Sequence, residues 1–340
     1  MKSLAIIGAG AIAQTYMQAV DTMDGVRIGA VCDINPAIRD SVAERLGCPA
    51  YETIEEAIVA ERPDGVIVTA PPVQHPALAV PCLKAGIPVL CEKPLTIDLD
   101  SANRMIAAAR KHGTLLAMAS KFRYVEDIIK AKSLLESDVI GKIQLVENLF
   151  AASVDMSSRW NSNPDISGGG VLIDNGTHSV EVVRYLAGPI RRVRAITETY
   201  GRSMPVEDAA ILFVETERGI RGHIELSWAI AKKSPAWVTV YGTKGVLEVG
   251  WQQSRYKRDE DNDWTVFGTG YDKVDSFRRN IADFLAGIDG KALMRTTLDD
   301  ALASVRVIEA AYASAESGGW VDVAADRHLT AIDGSKEKRA

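Results

Sequence analysis

The chain has 340 residues, 47% hydrophobic and 25% charged, with a formal net charge of -6, long enough for two domains that each bury a core. That acidic balance, without a sustained basic surface, argues against a nucleic-acid or acidic-membrane partner, and no apolar run approaches the ~18 residues of a membrane span. The opening Met-Lys-Ser-Leu-Ala-Ile-Ile runs straight into a strand and leaves no room for a cleavable leader, while Cys32, Cys48, Cys82 and Cys91 show no Cys-x-x-Cys spacing, so reduced thiols in a cytoplasmic protein are expected.

From the N-terminus, short β-branched runs alternate with helical patterns, the mark of a parallel sheet made of βαβ units. Strands are expected over 4–7, 27–33, 65–69, 88–92 and 115–118, the third and fourth stopped by Pro71-Pro72 and Pro94. Their continuous apolar runs suit strands covered on both faces. A helix begins near Ala11, with Ile12, Tyr16 and Met17 at helical spacing. After 121 the pattern changes to a helix over 125–136 and a strand over 143–149. An irregular stretch over 152–170 follows, rich in Ser, Asn, Pro and Gly, of a length that compact folds usually reserve for function. A helix over 174–186 is closed by Gly188-Pro189. Between Arg191 and Val249, strand-like runs separated by turn residues, with Thr243-Lys244-Gly245 as a hairpin turn, read as a mostly antiparallel sheet. Two amphipathic helices close the chain. Val274, Phe277, Ile281, Phe284, Leu285 and Ile288 line the first, and Leu298, Ala301, Leu302, Val305, Ile308 and Tyr312 the second.

Between the first strand and the first helix, Gly8-Ala9-Gly10-Ala11-Ile12-Ala13 fits G-x-G-x-x-G/A. Gly8 permits the tight turn, Gly10 lets backbone approach a pyrophosphate, and Ala13 lets the helix pack closely on the strand. The helix N-terminus then offers free N–H groups and the positive end of its dipole. A lone glycine fingerprint fits a structural turn equally well, but here Asp33 ends the second strand about 20 residues on, where a carboxylate can accept both ribose hydroxyls. It would repel a 2′-phosphate, and neither Ile34 nor Asn35 offers a cation, with Arg39 further along; NAD is expected rather than NADP. The fold class is therefore α/β, an N-terminal Rossmann doubly wound parallel sheet and a C-terminal α/β domain on a mostly antiparallel open sheet.

Glu92-Lys93-Pro94 closes a parallel strand at its carboxyl end, the edge where open α/β sheets bind ligands. Position alone leaves Lys93 either snorkelling to solvent or held at a site. A second group, Gly168-Gly169-Gly170-Val171-Leu172-Ile173-Asp174-Asn175-Gly176-Thr177-His178, places Asp174 and His178 one helical turn apart on a shared face. An unperturbed His178 would titrate near neutrality, as suits a general base; by itself the pair reads as readily as an N-terminal cap and a polar-face histidine. His112, His223 and His328 read as structural or solvated. No third ligand stands at a telling spacing from the pair, so no metal is expected.

Taken in order, Gly-x-Gly-x-x-Ala, Glu92-Lys93-Pro94 and Asp174-x-Gly176-x-His178 resemble the Gfo/Idh/MocA oxidoreductases, named for glucose–fructose oxidoreductase, inositol dehydrogenase and a rhizopine-catabolism protein. The resemblance extends over essentially residues 1–325. It implies a dinucleotide-binding domain over 1–121, a substrate-binding and oligomerisation domain over 122–325, a tail over 326–340, and a homodimer or homotetramer formed through the second sheet. By the same resemblance Lys93 binds the reacting hydroxyl across an often cis Lys93–Pro94 bond, Asp174 orients the substrate and His178 transfers the proton. The dinucleotide would meet Gly8, Ala9, Gly10, Ala11 and Ile12, then Asp33 and Ile34, then Thr69-Ala70-Pro71 with His75, and Glu92 and Lys93. Lys121 and Arg123, in Ser-Lys-Phe-Arg-Tyr, fall where relatives place cofactor or substrate contacts, although lysine is not the commonest residue at that place. Arg159 and Trp160, in the long irregular stretch, are candidate specificity contacts, or a surface loop with one aromatic anchor. The implied activity is NAD-dependent oxidation of a secondary hydroxyl on a cyclic polyol: a cyclitol, a sugar or a nucleotide-sugar. A glycoside hydrolase that retains NAD, a biosynthetic ketone or imine reductase, and a non-catalytic sensor are the alternatives; a sensor needs neither Lys93 nor His178.

Overall fold

The computed structural model describes residues 1–200 and 204–323; the expected tail over 326–340, with His328, lies outside them. The first half runs β1 (Lys2–Ile7), α1 (Ala11–Asp21), β2 (Val26–Cys32), α2 (Pro36–Leu46), β3 (Ala50–Tyr51), α3 (Ile54–Glu61), β4 (Gly65–Val68), α4 (His75–Lys84), β5 (Val89–Glu92), α5 (Leu99–His112) and β6 (Leu116–Ala119). Its six strands pair in parallel in the order β3-β2-β1-β4-β5-β6, so the winding reverses direction between β1 and β4, where such sheets bind dinucleotides. Every residue of β4, β5 and β6 is buried, as the unbroken apolar runs required. The two-residue β3 carries no periodicity and was not legible.

The second half runs α6 (Glu126–Glu136), β7 (Ile143–Ala151), α7 (Pro164–Ser167), α8 (Val171–Ala187), β8 (Ile190–Glu198), β9 (Ala209–Thr216), β10 (Arg221–Ser227), β11 (Ala236–Gly242), β12 (Gly245–Gly250), β13 (Ser254–Arg258), β14 (Thr265–Gly268), α9 (Lys273–Ile288), α10 (Leu298–Ser317) and β15 (Val321–Asp322). Nine strands form one sheet in the order β14-β13-β12-β11-β7-β10-β9-β8-β15. Its pairs are antiparallel except β7 with β10, where Arg221 lies opposite Leu145 in parallel register. The expected hairpin joins β11 to β12, with Gly242 opposite Gly245. One face is covered: Val180, Val183 and Leu186 of α8 and Val307, Ile308 and Ala311 of α10 share a core with Val146, Leu212, Val214 and Ile224. The alternation of β9 leaves Ile211 and Phe213 exposed on the other face.

The last two long helices return to the first sheet. Phe277, Ile281 and Phe284 of α9 are buried with Leu4, Ile6, Tyr16 and Ile67, and Phe277 meets the Tyr16 ring edge-on at 4.6 Å. Ala301, Leu302 and Val305 of α10 join Ala102, Met105 and Ile106 of α5 on the opposite face. Helical periodicity identifies an apolar face; it does not say which sheet that face will cover. No helix among the described residues is long and apolar enough to cross a membrane.

Candidate active site

The turn after β1 is shaped for an anion. Gly8 has φ +89°, and a side chain there would bring its Cβ to 2.8 Å from the Ala70 amide nitrogen, so only glycine allows the end of β4 to lie against the turn. A Cβ built on Gly10 would meet nothing within 4 Å, and α1 starts there without a side-chain cap. Its first N–H groups, including those of Ala11 and Ile12, therefore lack intrahelical partners beside open space, a site a pyrophosphate fits. Asp33 stands beside them, one carboxylate oxygen accepting from the Ala9 N–H at 2.7 Å and the other from the Asn35 N–H at 2.8 Å. Ile34, 86% exposed, leaves a bare apolar edge next to that carboxylate. Arg39 reaches the Asp33 carbonyl at 3.3 Å, but its Nε is paired with Asp40 at 2.9 Å.

A cleft of about 600 Å³ opens at the carboxyl ends of the parallel strands, lined by Ile12, Thr69, Ala70, Glu92, Lys93 and Lys121 on that side and by Asp174 and His178 on the other. Glu92 is buried, with its two oxygens accepting from the Tyr16 hydroxyl at 2.8 Å and the Lys93 N–H at 2.9 Å; burial pushes its carboxyl upward, against the lowering charge of Lys93. The Lys93–Pro94 bond is cis. The Lys93 ammonium donates to the Asp174 carboxylate at 2.5 Å and to the Asp174 carbonyl at 3.1 Å, joining the β5 edge to α8. His178 is buried and stands edge-on to Phe122 at 4.8 Å. Burial first, then the charges of Lys93 and Lys121, hold its imidazole well below 6.5. The condition attached to titration near neutrality, an unperturbed ring, is not met here: burial and the two ammonium charges favour the neutral imidazole. Lys121 heads a 3-10 turn, Lys121–Tyr124, with its ammonium 5.1 Å from the centre of the Phe122 ring and 5.7 Å from that of Phe277. Burial, then the neighbouring Lys93 charge, lowers it to about 8.

The helix carrying Asp174 and His178 begins at Val171 rather than at 174, because its cap comes from far along the chain. Glu207 accepts from the Gly170 and Leu172 N–H groups through its carboxylate, at 2.9 and 3.0 Å, and from the Val171 N–H through its carbonyl at 3.0 Å. Tyr312 donates to the same carboxylate at 2.9 Å. Side chains at Gly169 and Gly170 would collide with Tyr312 and with the Glu207 backbone, which gives the glycine run its purpose.

Arg159 and Trp160 line the cleft as candidates. Their stretch carries a 3-10 turn, Trp160–Ser162, and the short α7. Pro71 is half-buried and leads into another 3-10 turn, Pro72–Gln74, outside the cleft lining. His75 and Arg123 do not reach the cleft. His75 is fully buried, its ring nitrogens 3.0 Å from the Leu95 carbonyl and 2.9 Å from the Ala70 carbonyl, so it ties the segment after β5 to the segment after β4. The Arg123 guanidinium turns inward to Glu181 at 2.9 Å and Asp300 at 2.8 Å. Four aromatic residues that line the cleft were not anticipated: Phe122, Phe150, Trp228 and Trp251. Strand alternation could have placed Phe150 on the covered side of β7; nothing local to Trp228 or Trp251 signals that they meet the β5 edge.

Comparison with known proteins agrees with this fold. A family model described as oxidoreductase family, NAD-binding Rossmann fold, matches residues 2–120, and its companion C-terminal alpha/beta domain matches residues 132–323. The chain is 26% identical to the rhizopine catabolism protein MocA of Rhizobium meliloti, over 91% of this chain and 93% of that protein. It is 24% identical to an inositol 2-dehydrogenase of Corynebacterium glutamicum, over 79% and 82%. A solved oxidoreductase from Agrobacterium radiobacter, in complex with NAD+, L-tartaric acid and magnesium, shares the fold with a TM-score of 0.86 at 21% identity, over 95% of this chain and 98% of that one.

Proposed function

This chain belongs to the Gfo/Idh/MocA oxidoreductases and is an NAD-binding dehydrogenase; from that premise we propose that it oxidises a secondary hydroxyl on a cyclic polyol, such as a cyclitol, a sugar or a nucleotide-sugar. The observation that carries this reading is the Lys93 ammonium, fixed by Asp174, beside a neutral His178 in one cleft at the β5 edge. Bound at the glycine turn, NAD supplies the hydride acceptor. Asp33 beside that turn supports NAD over NADP, since its carboxylate would face a 2′-phosphate. Lys93 binds the reacting hydroxyl and stabilises the developing alkoxide in a partly dry cleft. Asp174 holds Lys93 and orients the substrate. His178 takes the hydroxyl proton as the carbinol hydrogen departs as hydride, leaving a ring ketone. The aromatic walls suit the C–H faces of a sugar or cyclitol ring, while the polar groups pair its hydroxyls. The inositol 2-dehydrogenase among the relatives supports the same substrate class.

On this reading the dinucleotide belongs to 1–121 and the substrate to 122–325, with Lys93 and Lys121 reaching it from the edge of the first domain. The exposed Ile196, Ile211, Phe213 and Tyr241 on the open face of the second sheet support a homodimer or homotetramer formed there. Four free thiols support a cytoplasmic setting.

The test is a division between turnover and cofactor affinity. Lys93→Met and His178→Asn should each lower kcat by about 10² or more, with NAD affinity measured by calorimetry nearly unchanged, because neither side chain is asked to bind phosphate. Near-normal turnover in both variants would show that the assigned chemistry is wrong.

A further inference from the structure

The proposed oxidation leaves part of the cleft's charge without a role. Among the described residues two carboxylates line the cleft: Asp174, held by the Lys93 ammonium, and Glu92, which accepts from the Tyr16 hydroxyl and the Lys93 N–H. Four cations line it among the same residues. Lys93 is matched by Asp174, and Lys232 by Glu225 at 2.5 Å. Lys121 and Arg159 line the same cleft, and neither is ion-paired with a carboxylate among the described residues.

Lys121 is the more telling of the two, because it is not free to swing away. The residues that follow it are anchored inside the protein. Phe122 is packed against Phe150, Trp237 and Tyr271, Arg123 is tied to Glu181 and Asp300, and the Tyr124 hydroxyl donates to Asp283 at 2.8 Å. The ammonium is held against the Phe122 and Phe277 rings. Lys121 is half-buried, and the Glu92 and Asp174 charges act on it only from beyond ion-pair distance. A cation partly withdrawn from water without a close counter-ion is costly, and the positively charged ring of oxidised NAD, if bound in the same cleft, would raise that cost. The protein as a whole carries -6, so this local excess of positive charge runs against the general charge of the chain and belongs to the cleft.

We propose that the substrate ring carries one anionic group, a carboxylate or a phosphate, which Lys121 binds within the cleft and Arg159 approaches from the 152–170 stretch. This inference rests on the polyol reading. Lys93, Asp174 and His178 hold the reacting hydroxyl while Lys121 fixes the rest of the ring, so the anion decides which hydroxyl is presented. A charged hydrogen bond in a low-dielectric site discriminates strongly between an anionic ligand and its neutral parent.

The experiment compares matched rings with the NAD-loaded enzyme: a hexose, its uronic acid and its phosphate ester, each followed by NADH formation and by calorimetric binding. An anionic ring should exceed its neutral parent by about tenfold or more in kcat/KM. Lys121→Met should erase most of that preference, chiefly through KM, and Lys121→Arg should retain it. Whether the acid or the ester leads identifies the anion. Preference for the neutral ring, or a preference unaltered in Lys121→Met, overturns the proposal while leaving polyol oxidation standing. If none of these three rings is oxidised, binding alone decides the anion site: Lys121-dependent binding of the acid or ester upholds it, and its absence overturns it.

Discussion

Two side chains in the cleft have acid–base behaviour set by their surroundings, and they predict the shape of a pH profile. His178 is held well below 6.5 by burial and by Lys93 and Lys121, so the form that accepts a proton is already present at neutral pH and persists on the acid side. Lys121, lowered to about 8, faces Lys93 and Lys273, which lower it, and Glu92 and Asp174, which raise it. It is charged below that value and loses its charge as pH rises through it. The expected kcat/KM profile therefore shows no half-activity point near 6.5, and KM for an anionic substrate climbs above about pH 8. Lys121→Met should remove the upper change. An acid limb centred at 6.5 would contradict the assignment of His178 as a buried, neutral base.

At the scale of elements, the same 3-10 turn that presents Lys121 is fastened by Arg123, whose guanidinium bridges Glu181 on α8 and Asp300 on α10. Ser304 and Arg184 complete the cluster, at 2.8 Å from Glu181 and 3.2 Å from Asp300. Removing one partner of a buried pair leaves the other charge uncompensated. Arg123→Met should cost about 3–5 kcal/mol in urea denaturation, and Arg123→Met combined with Glu181→Leu should recover much of it. A single variant as stable as the unaltered protein would show that the cluster holds nothing. The sequence motif that drew attention to Arg123 was thus real, but its chemistry is that of a fastening. The elements themselves were mostly legible, because strand and helix periods are local: β1, β2, β4, β5 and β6 fall within a residue or two of expectation, and the glycine turn where it was placed. The start of α8 was not legible, because its cap, Glu207, comes from a distant loop. Nor was the destination of α9 and α10, since an apolar stripe carries no address.

For the whole molecule, the cleft exists because the chain crosses back on itself. Lys93 and Asp174 are 81 positions apart, and the segment carrying Lys121 is packed under α9 from near the far end of the chain. The motifs could be read in order along the sequence, whereas the aromatic wall of Trp228 and Trp251 could be seen only once the second sheet met the first. The central claim, that this assembled cleft oxidises a ring hydroxyl with NAD, is tested most directly by following NADH absorbance with inositols, free hexoses, sugar acids, sugar phosphates and nucleotide-sugars in both directions, beside open-chain and apolar alcohols. The account predicts stoichiometric NADH and a ring ketone from at least one cyclic polyol. Activity confined to open-chain or apolar alcohols, or glycoside cleavage with retained NAD and no net NADH, would contradict it.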